Sequence, residues 1–239
     1  MKSMKFTLDM ITPGLCGGAD PVSQAEIRPP SIRGQLRWWF RALGGFASLL
    51  PLNVKKQEEM IFGSVAEKIG RASILQVRTR LTRLVQTIMK NAADLNANMN
   101  SPKGYLLFPL RDRKRKMFTS TDLPSFELHI SWRGKDRLFD DILALITMFG
   151  SLGALGSRSR RGFGALAFQP GEQPMSLTGA LARFGNPKGI HIREDTVLYS
   201  DQDEALDALS QWLKGWRSHG RTPNLSTGPG IEYAKQDHD

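Results

Sequence analysis

The chain has 239 residues, 40% of them apolar, with 23 glycines. That is enough for one large or two small domains around a buried core, and it excludes a peptide-sized, fibrous or disordered protein. Lys and Arg number 33 against 23 Asp and Glu, a net charge of +10, which points to a polyanionic partner, nucleic acid ahead of an anionic membrane, and says nothing about fold. The single cysteine, Cys16, excludes an internal disulfide framework and a zinc site built from several thiolates, and suits a reducing compartment. The N-terminus interrupts its apolar residues with Lys5 and Asp9 where a signal peptide needs an unbroken apolar stretch. The longest uncharged run, Ile142 to Ser157, is shorter than the roughly 18 residues of a membrane span. A cytoplasmic protein with no membrane span is expected.

Met4, Phe6, Leu8 and Met10 alternate with polar residues, the period of a half-buried first strand. Residues 12–30 hold Thr12-Pro13-Gly14, Gly17-Gly18 and Pro29-Pro30 and read as a long loop. With Ser31 as N-cap, Ile32, Leu36, Trp39, Phe40 and Leu43 recur at helical spacing up to Gly44-Gly45, predicting a helix over about 32–44. A short helical piece follows at 58–62, then a strand at 75–81 with a basic outward face. Residues 84–104 read as weak helix and then loop, followed by an apolar run at 105–108 and a basic run at 111–116. Phe126, Leu128, Ile130 and Trp132 mark a third strand. Leu138, Ile142, Leu145, Ile146 and Phe149 mark a second amphipathic helix, and residues 165–168 a fourth strand.

The order βαββαβ predicts an α+β, ferredoxin-like (RRM-like) sandwich over residues 1–170, two helices on one face of a four-stranded antiparallel sheet. Residues 171–221 form a C-terminal extension with a strand at 190–198 and a helix started by a capping box of Ser200 and Asp203. Its acidic residues, Asp201, Asp203, Glu204 and Asp207 among them, form a solvated face or a protein-docking face. Residues 222–239 read as a disordered tail.

Arg33, Arg37 and Arg41 fall at i, i+4 and i+8, one stripe along the first helix, with Arg28 just before it. Guanidinium groups meet phosphate bidentately, and a helix start at Ser31 adds backbone donors, so the stripe reads as a phosphate ladder or as a solvated basic face. Trp38 lies about 100° from core-facing Trp39 and could stack on a base, cover a neighbouring subunit or pack under the loop. In the segment GSRSRRGFG, residues 156–164, glycines permit close backbone approach while Ser157, Arg158, Ser159, Arg160, Arg161 and Gly162 offer donors and charge. It reads as an RNA-gripping loop, against a flexible connector with a basic tip. A triphosphate loop is excluded, since no GxxxxGK[ST] occurs.

The four histidines have no metal-site spacing, and no cofactor is implied. His129 on the third strand is a weak candidate base for RNA cleavage, Asp9 and Asp20 lack companion carboxylates for a cation, and Cys16 reads as packing.

Together ITPGLCGGADP (11–21), IRPPSIRGQLRWWFRALGG (27–45), IFGS (61–64) and GSRSRRGFG (156–164) resemble the first RAMP subunit of the Cmr complex, the type III-B CRISPR effector, over residues 4 to about 168. The resemblance implies a non-catalytic RAMP protein inside a multisubunit ribonucleoprotein of antiviral defence. It would hold the 3′ side of the guide RNA beside other RAMP subunits and help capture complementary target RNA, with target cleavage left to the backbone subunits. Carried onto this chain, Ser31, Arg33, Gly34, Arg37 and Arg41 with residues 158–162 become the RNA-contacting surface, with no small-molecule substrate. Many members carry two RAMP-like halves, and residues 171–239 are too few for a second one. The alternative on the same fold is a metal-independent CRISPR RNA-processing endonuclease.

Overall fold

The computed structural model describes residues 1–65, 70–82, 90–91, 106–107, 116–118, 123–191, 199 and 201–218. Its centre is strand β1 (Lys2–Met10), paired antiparallel along its length with β5 (Ser125–Trp132), so that Phe6 lies opposite Leu128 and Leu8 opposite Phe126. β2 (Leu75–Leu81) extends the sheet beyond β5 and β6 (Leu166–Phe168) beyond β1, giving the order β2-β5-β1-β6. A two-residue ribbon, β3 (Lys90–Asn91) with β4 (Lys116–Met117), is inserted between β2 and β5. The period-two residues Phe6, Leu8, Met10, Phe126, Leu128, Ile130 and Trp132 are all buried. They form one apolar cluster with Ile32, Leu36 and Phe40 of α1 (Pro29–Ala42) and with Ile142, Leu145, Ile146 and Phe149 of the later helix α3 (Phe139–Leu152). The fold is the ferredoxin-like sandwich that the βαββαβ order predicts.

Several boundaries differ for physical reasons. α1 begins at Pro29, with Arg28 as N-cap and no side-chain cap bond. Proline suits the first helical turn, where its missing N–H has no partner to lose and its φ is already helical, so Pro29-Pro30 opens the helix where a loop is expected and Ser31 lies inside it. α2 (Val54–Phe62) is longer than the expected 58–62, because Asn53 accepts a bond from the Lys56 N–H (2.9 Å) and starts the helix earlier.

The segment after β6 holds an unexpected helix, α4 (Leu177–Arg183), capped by Ser176 accepting from the Gly179 N–H (3.1 Å). Ile190 and His191 are not in a strand. The rest of that expected strand, most of the weak helix and basic run, and the tail at 222–239 lie outside the described residues, although Lys90–Asn91 within the weak-helix region is strand. At the start of α5 (Gln202–Ser218) Asp201 Oδ1 accepts from the Glu204 N–H (2.8 Å), and the expected Ser200–Asp203 box lies partly outside the described residues, at Ser200. Leu206 and the partly buried Leu213 place α5 on a second apolar cluster with Leu15, Met117 and Phe163. Among the described residues no helix is long and apolar enough to cross a membrane.

Candidate nucleic-acid interface

The loop after β1 is bound on two sides. Gly14 exchanges backbone bonds with Phe118 (3.0 and 2.8 Å), the Leu15 carbonyl accepts from the Ser157 N–H (2.9 Å), and the Pro13 carbonyl accepts from the Gly164 N–H (2.7 Å). A Cβ on Gly164, at φ +70°, would lie 2.0 Å from the Leu155 carbonyl oxygen, so only glycine allows this contact. The glycine-rich segment is therefore a fastened loop and not a flexible connector. Its tip, Ser159–Arg161, is a single 3₁₀ turn closed by the Arg161 N–H on the Arg158 carbonyl (2.8 Å). Arg158 and Gly162 flank it in the left-handed region, at φ 65° and 80°. Among the described residues, neither Arg158 nor Arg160 is paired with a carboxylate. The same tip also packs on the extension, since a Cβ on Gly162 would press on the methyls of Leu209 and Leu206.

The arginine stripe is not the open ladder its spacing suggests. Arg37 directs Nε (2.7 Å) and Nη2 (2.5 Å) onto Oε1 of Glu58, a buried carboxylate of α2, and Arg41 Nη1 lies 3.5 Å from the same oxygen. Arg33 donates through Nη2 to the Phe62 carbonyl. No acid lies within helical reach of the stripe along the sequence, and α2 supplies one from outside it. The helix start at Ser31 offers no free backbone donors for a phosphate either, which leaves Ser31 only its hydroxyl. Pro29 and Pro30 have no N–H, and the N–H groups of Ser31 and Ile32 already bond the Arg28 carbonyl (3.0 and 3.2 Å).

What α1 and the glycine-rich loop share is a groove of about 450 Å³ lined by Arg28, Ser31, Gly34 and Gln35, by Gly156 and Ser157, and by Glu26, whose Oε2 lies 3.8 Å from Arg28 Nε. Gly156 and Ser157 also open a second groove, along Arg158, Ser159, Arg160 and Arg161. Gly34 in turn borders a third, which runs past Arg33 and Arg37 to Arg78 of β2. Through these shared residues the three grooves adjoin, as a track of separate hollows from Arg78 across α1 to the tip of the glycine-rich loop. Gly34 is its crest, and a Cβ there would meet nothing within 4 Å. A mid-helix glycine costs up to about 1 kcal/mol relative to alanine, and no neighbour in the fold requires this one. Trp38, one helical turn beyond Gly34, is 44% exposed. Among the described residues its one aromatic contact is edge-on to Trp39, with ring centroids 5.2 Å apart at 85°.

The remaining candidates are occupied in other ways. His129 lies on the open face of the sheet with Nε2 3.0 Å from Glu127 Oε2, while Lys5 Nζ donates to the other oxygen of Glu127 (2.8 Å). These two contacts, the Lys5 bond first, hold the Glu127 carboxyl below its ordinary range. Asp9 accepts from Ser125 Oγ (2.5 Å) and Gln169 Nε2 (3.3 Å), and Asp20 closes its own turn through the Val22 and Ser23 N–H groups. Burial pushes the Cys16 thiol up to about 12 and leaves it a packing residue. Glu58 and Thr12 are the residues of this region that sequence reasoning missed. Thr12 donates to the Gly162 carbonyl (2.6 Å) and accepts from the Ala165 N–H (2.9 Å), a tie across some 150 residues that no local spacing could show.

This span, from β1 through the fastened loop to β6, is where the chain meets a known class. Residues 7–167 match the RAMP superfamily, and the chain belongs to it. Two relatives are Cmr1 subunits. It is 33% identical over 184 residues, 69% of this chain and 94% of the relative, to the CRISPR system Cmr subunit Cmr1-2 of Pyrococcus furiosus. It is 32% identical over 146 residues, 59% of this chain and 40% of the relative, to subunit Cmr1-1 of the same organism. The crystal structure of apo Cmr1 from Pyrococcus furiosus shares the fold, with a TM-score of 0.60 at 18% identity over 95% of this chain and 79% of that one.

Proposed function

We propose that this chain is a non-catalytic RNA-binding subunit of a cytoplasmic type III-B Cmr effector, that it holds the 3′ side of the guide RNA, and that it helps capture complementary target RNA beside other RAMP subunits. The observation that carries the reading is the series of adjoining grooves from Arg78 past Gly34 to Arg158 and Arg160. It offers positive charge at both ends and bare backbone at its crest, which suits a ribose-phosphate chain read by shape while base pairing reads its sequence. The relatives' membership of Cmr assemblies supports the setting. Arg28, Ser31, Gly34, Trp38, Ser157, Arg158, Ser159 and Arg160 are the contacts on this reading. Arg33, Arg37 and Arg41 contribute the donors that α2 leaves unused.

If about four arginines each neutralise one phosphate, log affinity for single-stranded RNA falls against log salt with a slope near −3, at roughly −0.7 per contact. A titration that stays flat from low to high salt overturns the reading. Native mass spectrometry of the tagged protein from its host should find a guide-sized RNA and other RAMP subunits with it. RNA cut in EDTA by the purified chain would favour the endonuclease instead.

A further inference from the structure

The contact between α1 and α2 does not fit either simple account of the arginine stripe. A solvated basic face needs no buried carboxylate, and a bare phosphate ladder is weakened by one. Yet Glu58 is buried at 7% exposure with Oε1 against Arg37 Nε, Arg37 Nη2 and Arg41 Nη1. One turn further along α2 the Phe62 carbonyl holds Arg33, and the Phe62 ring lies 5.9 Å beneath the Arg37 guanidinium. One carboxylate cannot neutralise three guanidiniums, so two positive charges remain. The side chains of Arg37 and Arg41 are still 39% and 54% exposed. Arg37 turns its Nε edge inward to Glu58, which leaves Nη1 free of it, and the groove over Gly34 is lined by Arg33 and Arg37.

We infer that Glu58 is a positioning residue for RNA: it fixes the forks of Arg37 and Arg41 so that their outer N–H groups face the phosphates of a chain lying in the α1 groove. This rests on the RNA-binding reading above. An unheld arginine must give up the rotamer freedom of its long side chain when it binds, whereas a fork already fixed by a carboxylate gives up little. Such an acid strengthens anion binding although its own charge repels the anion. The same acid in a merely neutralising role weakens it.

The two roles therefore differ in sign. In the full chain, Glu58→Gln keeps the shape and removes one negative charge, and binding to a fluorescein-labelled single-stranded polyuridine is measured over a range of salt, with the melting temperature as a check on folding. Positioning predicts affinity at least several-fold weaker than wild type with the salt slope unchanged, because the same phosphates are met by looser forks. Affinity equal to or tighter than wild type overturns the inference. Arg37→Lys is the second arm, since it keeps the charge and loses the fork. Positioning predicts a loss close to that of Arg37→Ala, and wild-type affinity in Arg37→Lys overturns it even if Glu58→Gln does not fold. Arg158→Ala and Arg160→Ala in the same assay separate the two claims. If wild type does not bind, or these variants bind as wild type does, the RNA-binding reading fails. If they weaken while Glu58→Gln tightens, only the role of Glu58 fails.

Discussion

The Thr12 hydroxyl donates to the carbonyl of Gly162, 2.6 Å away, and accepts from the Ala165 N–H at 2.9 Å. One buried side chain thus ties the loop after β1 to the far end of the glycine-rich segment. Thr12→Val keeps the shape and leaves both backbone groups unpaired, at a cost of about 1–3 kcal/mol. Urea denaturation should show that loss and Thr12→Ser should restore most of it. An unchanged midpoint in Thr12→Val would mean that the loop is held by its backbone bonds alone.

Gly34 separates stability from binding. Nothing within 4 Å meets a Cβ there, so Gly34→Ala should stabilise the chain by up to about 1 kcal/mol through helix propensity. The added methyl stands on the crest of the track and should weaken RNA binding at the same time. A melting curve and a binding titration on one sample check both, and a more stable variant with undiminished affinity would remove the crest from the RNA path.

Arg158 makes a similar case from backbone conformation. Its φ of 65° costs a non-glycine residue about 1–2 kcal/mol, and glycine there relieves that while adding about 0.4–1 kcal/mol of unfolded-state entropy to overcome. The strain term is the larger, so Arg158→Gly should be slightly more stable than wild type and should bind RNA more weakly. Comparison with Arg158→Ala, which keeps the strain and loses the charge, separates the two effects.

Acid should act through Glu127. Its folded-state carboxyl is held below the ordinary value by Lys5 first and His129 second. The stability it adds is therefore present above the unfolded carboxylate value and lost as pH falls through the lowered folded one. Melting temperatures between pH 3 and 6 should fall more steeply for wild type than for Glu127→Gln. Parallel curves would show that the sheet-face network contributes nothing measurable.

Cys16 should be silent in the folded protein. Burial sets its thiol at about 12, so at pH 8 almost no thiolate is present and little reagent can reach it. A thiol-disulfide reagent should titrate the cysteine only after denaturant is added. Rapid reaction of the native protein would contradict the packing around Leu15 and Gly156.

The sheet was legible because both of its signals are local. Alternation at Phe6–Met10 and Phe126–Trp132, and helical spacing from Ile32 to Phe40, decide which face is buried within a few residues. The start of α1 is not legible from Pro29-Pro30, because proline breaks a helix interior yet suits a helix's first turn, and the sequence alone does not say which applies. α4 was missed although Ser176 and Gly179 carry a capping signal, since seven residues give too little periodicity. In the candidate interface, the arginine stripe and the basic tip were visible as charge. Their environments were not. Glu58 reaches Arg37 from another helix, and Leu15, Pro13 and Thr12 fasten a segment some 150 residues away. Such contacts depend on the completed fold, which is why one phosphate ladder in the sequence becomes a clamped stripe beside a groove.

With Leu206 and Leu209 pressed where a side chain of Gly162 would extend, glycine at that point serves as a fitted surface and not as a hinge. The C-terminal helix roofs the basic tip, so the tip's conformational entropy is lost during folding and not on arrival of a ligand. A polyanion meeting Arg158 and Arg160 would find a shape already made, and any change to the roof would be felt first as a change in how fast that polyanion leaves.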